Sequence, residues 1–254
     1  MSSSLLFIGT GAGGSSGSSR WRASTLAELQ DSLLLVDCGV GCHYRLSDRG
    51  YLTELDAVFI THMHMDHFLG LPELIFQAHM EGRRKPLKII GPSGLEESIR
   101  VVAPHLFTNI SFQLLIDRAE NLRTFSLGRN QMQIVDVCHV LPAFGLTIRD
   151  DDTMIGFSGD TSEPCQGIDK MRGVEVLVHE ATCDDRYEEL CRKYGHTTAR
   201  QAIAAASKIG SNILLLNHID ERFHNVQTTE ADILKEGRSQ TARIVNDLER
   251  IILR

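Results

Sequence analysis

The sequence predicts an α/β protein whose β-sheets carry helices on their outer faces. Three observations lead there. Short apolar, β-branched runs recur along the chain, of strand length and bounded by glycine and polar residues. They dominate the first half, while helix-compatible segments fall between them throughout. Two late runs, 174–179 and 212–217, are apolar and short enough to be buried strands. Sheets that must be covered need helices packed outside them.

In chain order, a strand over 5–8 opens into a glycine- and serine-rich loop reaching Ser19. A hairpin pairs 23–28 with 33–37 across Gln30, Asp31 and Ser32, a polar tripeptide between apolar runs. A strand over 57–61 precedes a helix from about 68 to 80. A strand over 87–91 and a helix over 93–103 follow. Four more strands are expected over 112–116, 132–137, 145–149 and 154–158. Helical segments near 185–194 and 198–209 separate the two buried strands, and 229–248 has helix-compatible spacing. The chain has 254 residues with no repeat or low-complexity linker, so residues 1–254 read as a single domain.

Composition excludes several functions. No apolar run approaches the roughly 18 residues that span a bilayer, and the N-terminus has no basic region ahead of its short apolar stretch. The chain therefore reads as cytoplasmic, with no membrane partner. A net charge of −7 gives no general attraction to polyanions. The six cysteines form no Cys-x-x-Cys pair, and free thiols are expected in that compartment. Gly9 to Gly14 mimic a dinucleotide fingerprint with Asp37 downstream, but serines and a hairpin follow where a helix should begin.

The densest chemistry is THMHMDH, residues 61–67. Extended backbone aims residues two apart the same way, so His62 and His64 can face one ion together. A helix starting near Asp66 turns Asp66 and His67 toward a neighbouring position. Imidazole and carboxylate suit zinc and similar divalent ions. More candidates end later apolar runs: His139, Asp160, His179 with Glu180, and His218. Sheet scaffolds place site residues at such points. Met63 and Met65, alternating with the ligands, are expected to pack beneath the site, and Cys138 to point away from His139 into the core.

These residues resemble the metallo-β-lactamase superfamily. HEAT (179–182), GHTTA (195–199), FIGTGAG near the start and LVDCG around Asp37 are similar to its ribonuclease Z-like branch of tRNase Z and related phosphodiesterases. The resemblance implies a four-layer αββα sandwich of two mixed sheets with two zinc ions along one edge, manganese or iron being the alternatives. It implies that His62, His64 and His139 hold one ion and Asp66, His67 and His218 the other, with Asp160 bridging. It assigns Asp66 to the proton of the attacking water, and Glu180 with His196 to protonation of the leaving group. It also implies a homodimer.

The sequence departs from that branch in one respect. The arm that grips the tRNA elbow in the common enzymes lies between the residues matching His139 and Asp160, and here that interval reads as a hairpin with an acidic turn at Arg149 to Asp152. The leading reading is a ribonuclease Z-like enzyme, a tRNA 3′ processing endonuclease or a related phosphodiesterase; the alternative is a small-molecule hydrolase of a cyclic phosphodiester, ester or lactone. A di-iron oxidoreductase is disfavoured because such relatives carry a carboxylate where His64 stands. A noncatalytic scaffold is disfavoured because all seven ligand candidates are intact. Arg83, Arg84, Lys85 and Lys88 could bind phosphate, or simply form a solvated loop; Arg20 and Arg22 beside Trp21 could touch substrate, or lie on a strand edge.

Overall fold

Alternation along the first strand sets the architecture. In the computed structural model, which describes residues 3–13, 18–151, 153–226, 229 and 241–253, β1 (Ser4–Gly9) sends Leu5 and Phe7 to one core and Leu6 and Ile8 to another. β2 (Ser24–Glu28) returns antiparallel and pairs with β3 (Leu33–Val36). The chain continues through α1 (Cys42–Ser47), β4 (Ala57–Phe59), α2 (Met65–Phe68), α3 (Leu71–Met80), β5 (Leu87–Gly91), α4 (Leu95–Val102) and β6 (Leu114–Arg118). Next come β7 (Thr124–Leu127), β8 (Asn130–Val137), β9 (Ala143–Asp150), β10 (Thr153–Phe157), α5 (Gln166–Asp169) and β11 (Val176–Glu180). Then follow α6 (Glu188–Lys193), α7 (Ala199–Ile209), β12 (Ile213–Asn217), β13 (Thr241–Ile244) and β14 (Arg250–Ile252).

Two mixed seven-stranded sheets result, ordered β14-β1-β2-β3-β4-β5-β6 and β13-β12-β11-β10-β9-β8-β7. Leu5, Phe7, Leu34 and Phe59 of the first meet Ile134, Leu146, Ile155 and Val178 of the second in the inter-sheet core. Leu6, Leu35 and Val58 turn outward under Leu74 and Ile75 of α3 and Ile99 of α4. Leu177, Leu214 and Leu216 turn outward under Ala202, Ile203 and Ala206 of α7. The layers are helix, sheet, sheet, helix, the αββα sandwich of the metallo-β-lactamase fold. β10, β11, β12 and β13 run parallel, so their C-terminal ends share one edge. None of the described helices is long and apolar enough to cross a membrane.

Several expectations change. The helix expected from 68 starts earlier, at Met65, and breaks at Gly70, where a side chain would strike the Gly39 carbonyl oxygen at 2.2 Å. Of the helix expected over 229–248, residues 230–240 lie outside the described residues, and Thr241–Ile244 is a strand completing the parallel edge of the second sheet. Met65 is exposed rather than packed beneath the site, because α2 turns it outward; Met63 packs against the helix-side core. The cysteines are not free: Cys38–Cys42, Cys138–Cys165 and Cys183–Cys191 are paired as disulfides. Cys138 is exposed and bonded to buried Cys165 instead of pointing into the core.

Arg83 is not part of a solvated phosphate patch. It is 1 % exposed, and its guanidinium donates to the carbonyls of Leu52, Leu55, Lys85 and Pro86. It therefore ties the turn before β4 to the turn before β5. An Arg83→Ala variant leaves several buried carbonyls unpaired, each costing roughly 1–3 kcal/mol. Urea unfolding is expected to show a loss of about 3 kcal/mol, with the rate of hydrolysis by the folded fraction unchanged.

Candidate metal centre and active site

The site is assembled where strands stop. After β4 the chain stays extended through His64 (φ −70, ψ 144) before α2 begins at Met65. His62 and His64 therefore reach into the edge together, and the first turn of α2 swings Asp66 and His67 in beside them. His139 follows β8, Asp160 follows β10, Glu180 ends β11 and His218 follows β12. Asp37, just past β3, and His218 both hold left-handed backbone, φ 61 and φ 56. Non-glycine residues rarely adopt it, and strained conformations of this kind persist where surrounding structure enforces them.

The donor atoms converge in two groups. His64 Nδ1 lies 3.0 Å from His62 Nε2 and 3.1 Å from His139 Nε2. His67 Nε2 lies 3.0 Å from His218 Nε2, and Asp66 Oδ2 lies 3.6 Å from the first and 3.4 Å from the second. Asp160 Oδ2 sits between the groups, 3.6 Å from His62 Nε2, 3.3 Å from His67 Nε2 and 3.4 Å from His218 Nε2. Nitrogens bonded at about 2.0–2.1 Å to a tetrahedral zinc ion would stand roughly 3.3 Å apart. The donor set and its spacing thus fit a metal site of two neighbouring positions.

The opposite ring nitrogens supply a second test, because metal-bound imidazoles usually donate their other N–H to a fixed acceptor. His67 Nδ1 donates to Asp37 Oδ2 at 2.8 Å, His139 Nδ1 to the Gly195 carbonyl at 2.8 Å, His218 Nδ1 to Thr182 Oγ1 at 2.9 Å, and His62 Nδ1 to Thr61 Oγ1 at 3.1 Å. Each of these four rings thereby aims its Nε2 inward. Sequence reasoning gave no role to Asp37, Thr182 or Gly195. Asp37 stood in the quoted LVDCG, but its partner lies thirty residues away and only folding joins them. Gly195 acts through its carbonyl, which no residue pattern announces. Gly13 N donates to Asp66 Oδ2 at 2.7 Å, so the glycine loop approaches the site through backbone. The Asp37→Asn variant removes the carboxylate that orients His67. Metal titration is expected to show affinity weakened by about 10–100-fold.

Charge follows this geometry. Burial, then the neighbouring His67, keeps His62 well below the ordinary imidazole range, and burial with His139 lowers His64. His67 goes the other way: burial opposes its charge, but Asp160, Asp37 and Asp66 outweigh it and hold the ring protonated. Burial likewise opposes charge on Asp66 and Asp160, yet His67 and His218 hold both carboxyls well below their usual range. An ion entering this ring must displace the His67 proton, so affinity weakens in acid. At the ring's flank, burial again opposes charge on His196, but Glu180, whose Oε1 accepts from Nδ1 at 3.1 Å, raises it to about 9. Thr198 caps α7 through a capping box with Gln201, and the Thr197 hydroxyl donates to the Thr161 carbonyl, so both threonines fix the approach to His196.

Above the ring lies a cavity of about 470 Å³, within the roughly 300–1,000 Å³ of small-molecule sites. Asp66, Asp160, His196 and His218 face it from the floor, with Val140, Leu190, Tyr194 and Phe223 on the walls and Arg222 at the side. Arg84, Lys85 and Lys88 do not line it. Neither do Arg20, which is buried on Thr10 Oγ1 and the Val245 carbonyl, and Arg22, which donates to the Ala12 carbonyl. Between His139 and Asp160 the chain makes the β9–β10 hairpin, with 146–150 antiparallel to 153–157.

Comparison with known proteins places this geometry among relatives. Residues 3–239 match the family described as Anti-Pycsar protein Apyc1. The ribonuclease Z of Bacillus licheniformis is 25% identical over 280 residues, covering 89% of this chain and 91% of that protein. Human tRNase Z, short form (ELAC1), superposes with a TM-score of 0.83 at 22% identity, over 99% of each chain. The metallo-β-lactamase fold protein YhfI from Bacillus subtilis superposes with a TM-score of 0.83 at 20% identity, again over 99% of each chain.

Proposed function

The chain belongs to the Anti-Pycsar protein Apyc1 family, and from that premise we propose that it is a metal-dependent phosphodiesterase that opens a cyclic nucleotide. The observation that carries the reading is Asp160 Oδ2 between two histidine groups on the floor of a cavity of about 470 Å³ with apolar walls. The family points to cyclic nucleotides. A phosphodiester held at the ring leaves its sugar and base among Leu190, Tyr194 and Phe223. In this reading the described chain serves one hydrolase domain.

His62, His64 and His139 would hold one ion and Asp66, His67 and His218 the other, with Asp160 shared; zinc suits these donors best. When bound, the ions acidify a water and offset charge on the phosphoryl oxygens. Asp66, kept deprotonated by its histidine neighbours and anchored by Gly13 N–H, accepts the proton of the attacking water. As the water oxygen bonds to phosphorus, the bond from phosphorus to the departing ring oxygen breaks. His196 gives that oxygen its proton from Nε2, and Glu180 stabilises the His196 charge through Nδ1.

Ribonuclease Z relatives at 25% identity support a second reading, processing of a tRNA precursor. The short β9–β10 hairpin, where an arm would emerge, speaks against it. Zinc-loaded protein should be assayed with purine and pyrimidine 3′,5′-cyclic mononucleotides, bis(p-nitrophenyl) phosphate and a 3′-extended tRNA precursor. Turnover of a cyclic mononucleotide without tRNA cleavage is expected. Cleavage of the precursor with no cyclic-nucleotide turnover would replace the first reading with the second.

A further inference from the structure

All six cysteines are paired, and each pair has one member adjacent in sequence to a residue that touches the ring. Cys38 follows Asp37, Cys138 precedes His139 and Cys183 follows Thr182. One pair goes further: Cys183 and Cys191 both line the cavity above the ring. We propose that the Cys183–Cys191 disulfide is a positioning element that holds the Gly195–His196 corner against the metal ring, so that hydrolysis requires this bridge to be closed.

The argument starts from how little else anchors the segment. α6 has six residues, far below the length at which a helix is stable alone. Among them only Cys191 is buried, and the 3-10 turn before it, Asp185–Tyr187, buries nothing. The described polar ties from α6 and that turn to α7, Arg200 to Asp185 and Gln201 to Glu188, are exposed and therefore weak. Beyond the Tyr187–Phe223 ring contact and half-buried Leu190, the body of the protein grips this segment through one fully buried side chain, the bridged Cys191. What hangs on that grip is close at hand. Cys191 O accepts from His196 N at 2.9 Å, setting where the imidazole starts. Gly195 N donates to Arg192 O at 3.1 Å, closing the end of α6. Gly195 O then accepts from His139 Nδ1 at 2.8 Å.

Gly195 has room for no side chain. Its φ is +77, and a Cβ would meet His139 Nδ1 at 2.8 Å and Val140 N at 2.9 Å. Backbone and ring are therefore in direct contact, so a shift of the corner moves His139 and His196 together. At the other end, Cys183 O accepts from Ala199 N at 3.3 Å, closing the segment into a loop around the bridge. A soluble phosphine reductant opens the bridge: it donates two electrons and takes the oxygen of one water, whose two protons go to the sulfurs. The freed α6 keeps only unbridged Cys191 and half-buried Leu190 against the body.

The inference rests on the reading of His139 as a ligand and His196 as the acid, and its test separates the two ideas. Alkylation without reductant, followed by peptide mass spectrometry, is expected to find Cys183 and Cys191 bonded to each other in active protein. The C183S/C191S variant, and wild-type protein treated with phosphine while circular dichroism shows the fold intact, are compared with untreated enzyme. Hydrogen exchange at amides 195–199 is expected to accelerate by about tenfold or more. Turnover of a cyclic nucleotide is expected to fall about 10–100-fold, as for loss of a partner outside the ligand ring. Hydrolysis of bis(p-nitrophenyl) phosphate, whose leaving group needs no proton, should fall less. Reoxidation of the wild-type protein should restore both. Free thiols at both positions in active protein, or unchanged exchange and an unchanged ratio of the two rates after opening, would overturn the proposal. If no phosphodiester is hydrolysed at all, the functional reading fails, and exchange with thiol mapping alone decides the fate of the bridge.

Discussion

Replacing Asp160 with asparagine is expected to lower kcat/KM by more than about 10³-fold, beyond the ~10²–10³ that loss of one stabilising donor costs an active site. The reason lies in a single oxygen. Asp160 Oδ2 is within 3.3–3.6 Å of His62, His67 and His218, so it belongs to both donor groups at once. It is 2 % exposed and surrounded by imidazoles, which hold it ionised despite burial. An amide of the same shape keeps the packing and removes the charge. Two ions held in the proposed positions would then repel without a shared anion between them. Elemental analysis should fall from two bound ions per chain to one or none, while thermal unfolding of the ion-free protein changes little in cooperativity. A variant that kept two ions and the wild-type rate would show that the oxygen bridges nothing.

The convergence of the candidate ring was legible in the sequence because its side chains obey local geometry. His62 and His64 are two apart on extended chain, and His139, Asp160 and His218 each stand where an apolar run ends. A strand end is visible in one dimension, and parallel strands bring such ends to one edge. Sheets with helices packed outside followed from the same runs, and the resemblance to the metallo-β-lactamase superfamily implied their four-layer arrangement. What stayed hidden depends on contacts between distant segments. Asp37 touches His67 only because β3 lies beside β4. β7 and β14, four and three residues long and with no buried residue, were not anticipated.

Arg83 illustrates the opposite error. Beside Arg84 and Lys85 it reads as solvated charge, but four carbonyls facing inward between two turns make burial of its guanidinium favourable. The cysteines misled for a related reason. A compartment rule predicts thiols, whereas Cys138 and Cys165 are brought together by the packing of α5 against the end of β8.

His196→Ala is expected to cut kcat for a cyclic nucleotide by about 10²–10⁴-fold, the usual worth of a positioned general acid. The sign of its pH dependence can be worked out in advance. An acid works only while protonated, so turnover should be retained below the His196 pKa and lost as pH rises through it. Burial pulls that pKa down and the Glu180 carboxylate pushes it up, to about 9 for the chain alone. Two bound cations nearby would add positive charge and lower it, which places the alkaline limb of the wild-type profile at or below about 9. Glu180→Gln leaves the burial and removes the compensating charge, so its limb should move to lower pH. In His196→Ala the limb should vanish. A diester that expels p-nitrophenolate needs no proton on its leaving oxygen, so its hydrolysis should survive His196→Ala far better than that of a cyclic nucleotide. Equal losses on both substrates would place His196 in binding or in the metal ring, where it lies 3.7 Å from Asp160 Oδ2, and would remove it from the proton path.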